Sequence, residues 1–347
     1  MSKSSNKRCS RCVLPDTFPG ISFNEHGLCN FCADTPAAPD LEKRRLQLKG
    51  ELEQVIFDHK GKTYYDCIVA FSGGKDSSYT LTHLVQTYGL NCLAVTIDND
   101  FMAEQARLNC KTVTQALGVD HLIYTPAARF MNQMYVSSVT QKNVHSKAAI
   151  RRASGICNSC INLINTYMIK TALQNATFLI VGGYIGGQVP KDSAIMVINL
   201  QRKKQMDQIA LKRYAAHFGE EAYRYFDLDD RLYAQGDAIT VINPMLTMNV
   251  SEEEIITHIK TLGWQAPRNT GKNSSNCLLN DLGIAIHQKQ HGFHPYIFEI
   301  SEQVRQGTMA RATALEKVEN ARGFATLSWQ VEKIGLDLAE IESSNGQ

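Results

Sequence analysis

No apolar run among the 347 residues approaches the length of a membrane span. Residues 1–8 (MSKSSNKR) are polar and no apolar segment follows them, which argues against a secretory leader. Net charge is only +2, so charge alone carries no nucleic-acid or membrane signature. The Walker pattern Gly-x-x-x-x-Gly-Lys-[Ser/Thr] is absent, and so is Gly-x-Gly-x-x-Gly, which removes the two commonest nucleotide fingerprints. No glutaminase nucleophile motif stands out either, so chemistry with ammonia would require a partner. Ten cysteines remain. Without a leader they point to metal or redox chemistry rather than disulfides, and to a cytoplasmic protein.

The chain is organised around residues 69–78, Val-Ala-Phe-Ser-Gly-Gly-Lys-Asp-Ser-Ser. An apolar run from Cys67 to Phe71 enters this stretch and a helical pattern from Ser78 to Val85 leaves it. That is strand, glycine turn and helix start. The two glycines let backbone amides come close to a ligand, and the helix N-terminus adds unpaired N–H groups and a positive dipole end. Ser72, Ser77 and Ser78 add hydroxyls and Lys75 adds a mobile charge. Together they make a cradle for a phosphate or pyrophosphate.

Ser72-Gly73-Gly74-Lys75-Asp76-Ser77 resembles the PP-loop of the ATP pyrophosphatase (adenine nucleotide alpha hydrolase) superfamily. Its members cleave ATP between the α- and β-phosphates and transfer AMP to a substrate oxygen. The resemblance implies an α/β, parallel-sheet, Rossmann-like PP-loop domain of the HUP type. It implies ATP and Mg²⁺ as cofactors, with ATP held by Phe71, Ser72, Gly73, Gly74, Lys75, Asp76, Ser77 and Ser78. Lys75 and Asp76 become the candidate catalytic pair.

Strands are expected near 66–71, 92–97, 121–125 and 178–182, and helices near 77–88, 101–117, 127–142 and 158–174. This alternation predicts a parallel sheet covered on both faces, with ligands outside the carboxyl ends of the strands. Asp98 and Gly182-Gly183 fall at such ends and join the candidate ATP-binding residues. Asp98 does so through the family resemblance, an acidic turn residue being the alternative. Gly182 and Gly183 open a glycine-dense run to Gln188 that brings backbone near ATP or substrate, or serves as a flexible loop. The basic and aromatic residues between 200 and 235 read as a solvated helix face rather than an RNA surface. Ser251 and Glu254 form a capping box for a helix ending near Gly263. Three units are expected: 1–40, a cysteine module with a Pro-rich linker; 41–250, the ATP-binding domain; and 251–347, a mainly helical C-terminal region. His287, His291 and His294 read as surface or packing histidines more readily than as metal ligands.

Two cysteine sets stand out. Cys9-x2-Cys12-x16-Cys29-x2-Cys32 has the spacing of a four-thiolate knuckle, with Zn²⁺ favoured over an iron–sulfur cluster. A segment this small needs such a staple. Cys157-x2-Cys160 opens a helix, and Cys277 lies far downstream. Three thiols can hold three corners of a 4Fe–4S cluster and leave one iron open to a sulfide. A second metal, a redox pair or inert thiols are the other readings. The helix N-terminus is expected to lower the thiol pKa values. A PP-loop followed by Cys-x2-Cys and a distant cysteine is similar to the cluster-dependent tRNA 2-thiolation enzymes. In those, ATP adenylates a base carbonyl and sulfur replaces AMP.

The N-terminal CSRCVLPDT and NEHGLCNFC segments instead resemble the start of N-acetyl sugar amidotransferases. Those are PP-loop enzymes that turn acetamido into acetamidino groups with ammonia from a partner glutaminase. They carry an acidic Trp-Gly-Glu-type segment after the strand that follows their Cys-x2-Cys, where this chain has Val181-Gly182-Gly183-Tyr184. Sulfur insertion into a small lactam such as a guanine-type purine, or into a tRNA base, is therefore the leading expectation. The 6-thioguanine type of pathway is one instance. The absence of a strongly basic surface favours the small molecule over tRNA. Amidotransfer, and a nucleotide sensor without turnover, are the alternatives. Implied partners are a sulfur-donor protein or glutaminase, and a second copy in a homodimer; no membrane is implied.

Overall fold

The computed structural model describes residues 7–36, 38–186, 188–189, 193–271, 273–319, 326–337 and 339. Six strands form one sheet: β1 Cys67–Ala70, β2 Cys92–Ile97, β3 Asp120–Tyr124, β4 Leu179–Val181, β5 Ile195–Asn199 and β6 Ala238–Ile242. Their order is β3-β2-β1-β4-β6-β5. Neighbours run parallel except β5, which is antiparallel to β6.

The central strands are short apolar runs because both sheet faces are covered. On β1, Cys67 and Val69 face a core shared with the helices Lys75–Tyr88 and Glu104–Leu117. Ile68, one residue out of phase, faces the helix Gly155–Gln174 on the other side. The four expected strands and the four expected helices lie within a few residues of their observed positions. β5 and β6 were not expected. The charged stretch after residue 200 contains the helix Leu200–Phe218, which is solvated along one side but buries Leu211, Tyr214 and Phe218 in a third core. The capping box is formed as expected and starts the helix Glu252–Lys260. Among the described residues no helix is long and apolar enough to cross a membrane.

The N-terminal cysteine segment packs against the helices Ile297–Gln306 and Arg311–Glu319, in a core that includes Phe18, Phe293, Ile300 and Val318. Phe18 stacks on Phe298 at 5.4 Å. Against Phe293, at a ring distance of 4.8 Å, His287 is buried at 1 % exposure and both ring nitrogens lack a partner. Burial, together with His291 and His294, pushes its pKa down to about 2. A histidine that stays neutral in the fold but charges when unfolded withdraws stability as pH falls below its unfolded value of about 6.5. The loss is about 1.4 kcal/mol per pH unit. His287→Phe removes this term. Between pH 7 and pH 5 the stability of the variant, measured by urea titration, should therefore rise by about 2 kcal/mol relative to the parent. A gap independent of pH would show that His287 accepts a proton within the fold.

Candidate active site

The loop after β1 sits where strand order reverses, with β2 on one side and β4 on the other. Open parallel sheets bind ligands at such a switch point. Gly73 has φ +66°. A Cβ there would lie 2.1 Å from the Ala106 carbonyl oxygen and 2.8 Å from Cys110 Sγ, so only glycine fits. The Gly73 carbonyl accepts hydrogen bonds from Trp264 Nε1 at 2.9 Å and Asn109 Nδ2 at 3.3 Å. Gly74 is the N-cap of the Lys75–Tyr88 helix and supplies no side-chain cap. The Lys75 amide donates to Ser275 Oγ at 3.0 Å, and the Ser72 amide donates to Ser77 Oγ at 3.2 Å.

Phe71, Ser72, Gly74, Lys75, Asp76 and Ser77 line a cavity of about 580 Å³. Gly73 and Ser78 are not part of that lining; Ser78 is fully buried and its hydroxyl has no partner. Lys75 Nζ donates to both Asp76 carboxylate oxygens, at 2.8 and 2.9 Å. Burial alone would lower the Lys75 pKa, but Asp76 and Glu252 outweigh it and hold it above the ordinary value. The lysine therefore stays charged. Glu299 lines the same cavity, and its Oε2 is buried without a partner. Burial, then the neighbouring Asp76 carboxylate, pushes it up to about 8.

Gly182 and Gly183 follow β4 and also line the cavity. A Cβ on Gly182 would meet Asn243 Oδ1 at 2.4 Å, and one on Gly183 would come within 3.2 Å of Ser77 Cα. Their bareness serves the packing of β4 against its neighbours as well as access to the cavity. Gly187 lies outside the described residues. Asp98 is turned to Arg107, whose Nε and Nη2 donate to it at 2.7 and 3.0 Å. The next residue, Asn99, lines the cavity and Asp98 does not.

Cys157, Cys160 and Cys277 line the same cavity as the phosphate loop. Cys277 is brought there by backbone pairing: Ala103 N donates to Asn276 O and Leu278 N to Phe101 O, both at 2.8 Å. Asn99 Nδ2 lies 3.8 Å from Cys160 Sγ and 3.6 Å from Cys277 Sγ. Tyr296 Oη lies 3.7 Å from Cys157 Sγ. The expected lowering of the thiol pKa values does not hold for these protonated thiols. Burial dominates: it raises the Cys157 thiol above its ordinary value, and with the neighbouring thiols it raises Cys160 to about 12 and Cys277 to about 11.

Asn280 Nδ2 is buried in the cavity wall without a partner, and the Tyr135 hydroxyl is directed at the Cys160 thiol; both are placed to donate to an electron-rich group between the thiols. On these grounds the residues fit a cluster.

Cys9, Cys12, Cys29 and Cys32 are fully buried or nearly so, and their sulfurs lie within 4.8 Å of one another. The Cys9–Cys32 and Cys12–Cys29 pairs are each separated by 3.7 Å. A tetrahedron with metal–sulfur bonds of about 2.3 Å has edges of about 3.8 Å, so the set fits one metal ion.

Glu252, Ser275, Tyr296, Glu299 and Lys317 were not singled out from the sequence, yet all line the cavity. The capping box pointed to the turn that holds Glu252, and the polar run before Cys277 contained Ser275. Nothing local marked the other three.

Residues 66–194 match the model of the family described as Queuosine biosynthesis protein QueC, a PP-loop ATP pyrophosphatase family. The match spans the phosphate loop and the Cys157–Cys160 turn, and bears out the PP-loop resemblance. A protein of Methanocaldococcus jannaschii, described as uncharacterized protein MJ1599, is 26% identical over 339 residues, 95% of this chain and 100% of that one. The solved NMN synthetase from Francisella tularensis is 14% identical, with a TM-score of 0.39, over 87% of this chain and 98% of its own. The U34-tRNA thiolase NcsA from Methanococcus maripaludis, solved with its 4Fe–4S cluster, is 12% identical, with a TM-score of 0.35, over 96% of this chain and 95% of its own.

Proposed function

We propose that this chain is an AMP-forming ATP pyrophosphatase that replaces a carbonyl oxygen with sulfur, on a small lactam such as a guanine-type purine or on a tRNA base. One observation carries the reading: the phosphate loop and the thiols Cys157, Cys160 and Cys277 open on a single cavity. A carbonyl activated at one end need not leave the enclosure to meet sulfur at the other.

The first turn of the Lys75–Tyr88 helix and the hydroxyls of Ser72 and Ser77 bind the departing pyrophosphate. Lys75 offsets the charge that develops on it. Mg²⁺ would enter with ATP; Asp76, and Glu299 once the ion displaces the proton that burial favours on it, would be the carboxyl groups able to hold it. The lactam oxygen attacks the α-phosphorus, its N–H proton is lost and pyrophosphate leaves. Hydrosulfide then adds to the carbon and AMP departs with the original lactam oxygen. The balance is lactam, ATP and hydrosulfide to thiolactam, AMP and pyrophosphate. A 4Fe–4S cluster on the three thiols would supply sulfide at its open iron. Asn99, Asn280 and Tyr135 would donate hydrogen bonds toward it. The four N-terminal thiols would hold Zn²⁺ in a structural role.

The N-terminal motif favours one rival, amidotransfer with ammonia, which shares the first half-reaction. A lactam labelled with oxygen-18 tests the shared half. The label should appear in AMP and not in pyrophosphate, and only when the lactam is present. Release of ADP, or AMP whose new oxygen comes from water, would overturn both enzyme readings. Sulfide supporting turnover where ammonium does not selects thionation; the reverse selects amidotransfer.

A further inference from the structure

Lys317 reaches the phosphate end of the cavity from the helix Arg311–Glu319. Its Nζ lies 3.0 Å from Glu252 Oε2, and Lys75 Nζ lies 3.8 Å from the same oxygen. Both lysines line the cavity. One carboxylate oxygen in the first turn of the Glu252–Lys260 helix thus stands between two ammonium groups. Burial raises the Glu252 pKa, but the two lysines outweigh it and hold the carboxyl below its usual value.

We propose that Lys317 is a second phosphate-binding cation for the triphosphate, held in waiting by Glu252 and presented by a helix whose position the N-terminal cysteine module sets. This rests on the ATP reading above. Lys75 is already bonded to both oxygens of Asp76, so alone it leaves most of the triphosphate charge uncompensated. A phosphate oxygen entering between the two ammonium groups replaces the Glu252 carboxylate as their common acceptor. Such charge-assisted bonds are stronger than neutral ones.

The backbone around Lys317 is fixed from two directions. Arg311 donates to Cys12 O at 3.1 Å and to Cys9 O at 3.2 Å, the carbonyls of the first Cys-x2-Cys turn. Ala314 and Val318 are buried in the same core as those cysteines. From the cavity side, Asn273 Nδ2 donates to Lys317 O at 3.2 Å. The cysteine module therefore acts on the ATP site through Arg311 and the helix that carries Lys317, without touching the nucleotide.

The signature is selectivity for the phosphates over the adenosine end. Binding of MgATP and of AMP is measured by calorimetry on the full chain with its metals bound. Lys317→Met should weaken MgATP about twentyfold, the scale of one hydrogen bond to a charged group, and change AMP less than about twofold. Lys317→Arg should recover most of the loss. Arg311→Met, with metal content unchanged, should weaken MgATP by about fivefold and spare AMP, since the lysine is then present but less well placed. Wild-type MgATP affinity in Lys317→Met would overturn the proposal, as would a parallel loss of AMP. If the parent chain binds neither nucleotide, the ATP reading itself fails. If the parent binds both and Lys317→Met matches it, only the role of Lys317 fails.

Discussion

Gly73→Ala should abolish ATP turnover, with lactam-dependent pyrophosphate release falling about a thousandfold or more, equivalent to about 4 kcal/mol of transition-state stabilisation. Two independent costs meet at this residue. A left-handed backbone costs an ordinary residue about 1–2 kcal/mol. The new Cβ would also sit 2.1 Å from a backbone oxygen of the Glu104–Leu117 helix, which no rotamer change relieves. The loop must move, and with it the Gly73 carbonyl held by Trp264 and Asn109 and the amides that face the phosphates. Gly74→Ala provides the comparison. Its nearest obstacle is the Ser275 hydroxyl at 3.0 Å, a side-chain end that can turn away, so the loss should be nearer tenfold. Thermal melts separate a misplaced loop from an unfolded chain. Equal activity of Gly73→Ala and the parent would dismiss the loop as the phosphate site.

Cys277→Ala should separate the two half-reactions. Protein purified without oxygen should hold about four irons and four sulfides per chain beyond the metal of the N-terminal module. The variant should lose them together with the brown colour, and thiolactam formation should fall at least a thousandfold. Lactam-dependent pyrophosphate release should persist within about tenfold, because the Ser72–Ser77 cradle is on a different element. Cys157→Ala should behave alike, although Tyr296, 3.7 Å from the Cys157 sulfur, then faces a gap. A colourless parent that still turns over with ammonium, and variants indistinguishable from it, would instead support the nitrogen chemistry.

The phosphate loop was legible because its physics is local: strand, paired glycines and helix start are consecutive, and β1 and β2 alternate toward two buried faces. The N-terminal four thiols were legible for the same reason, by spacing. β5 and β6 escaped because they pair only with each other and with β4, with a long helical excursion between them. Charge dominated the reading of residues 200–235, although Tyr214 and Phe218 are core residues. Trp264, Ser275, Glu299 and Lys317 matter to the cavity through contacts with residues hundreds of positions earlier or in other elements. No window of sequence contains both partners. The thiol pKa values illustrate a competition that sequence cannot weigh: the helix N-terminus was visible, but the burial that overrides it was not.

The Arg311 guanidinium grips a carbonyl 302 residues upstream. As the polypeptide is synthesised, β1 to β6 are complete before the helices that cover the cysteine module exist. That module must wait with its apolar side bare until residues near 319 have left the ribosome. Contacts between such distant partners close late, so the cavity wall bearing Glu299 and Lys317 sets after the sheet. A chain truncated near residue 290 would therefore contain all six strands, with Trp264 and Ser275 to brace the loop at 72–77, and still lack the wall bearing Glu299 and Lys317.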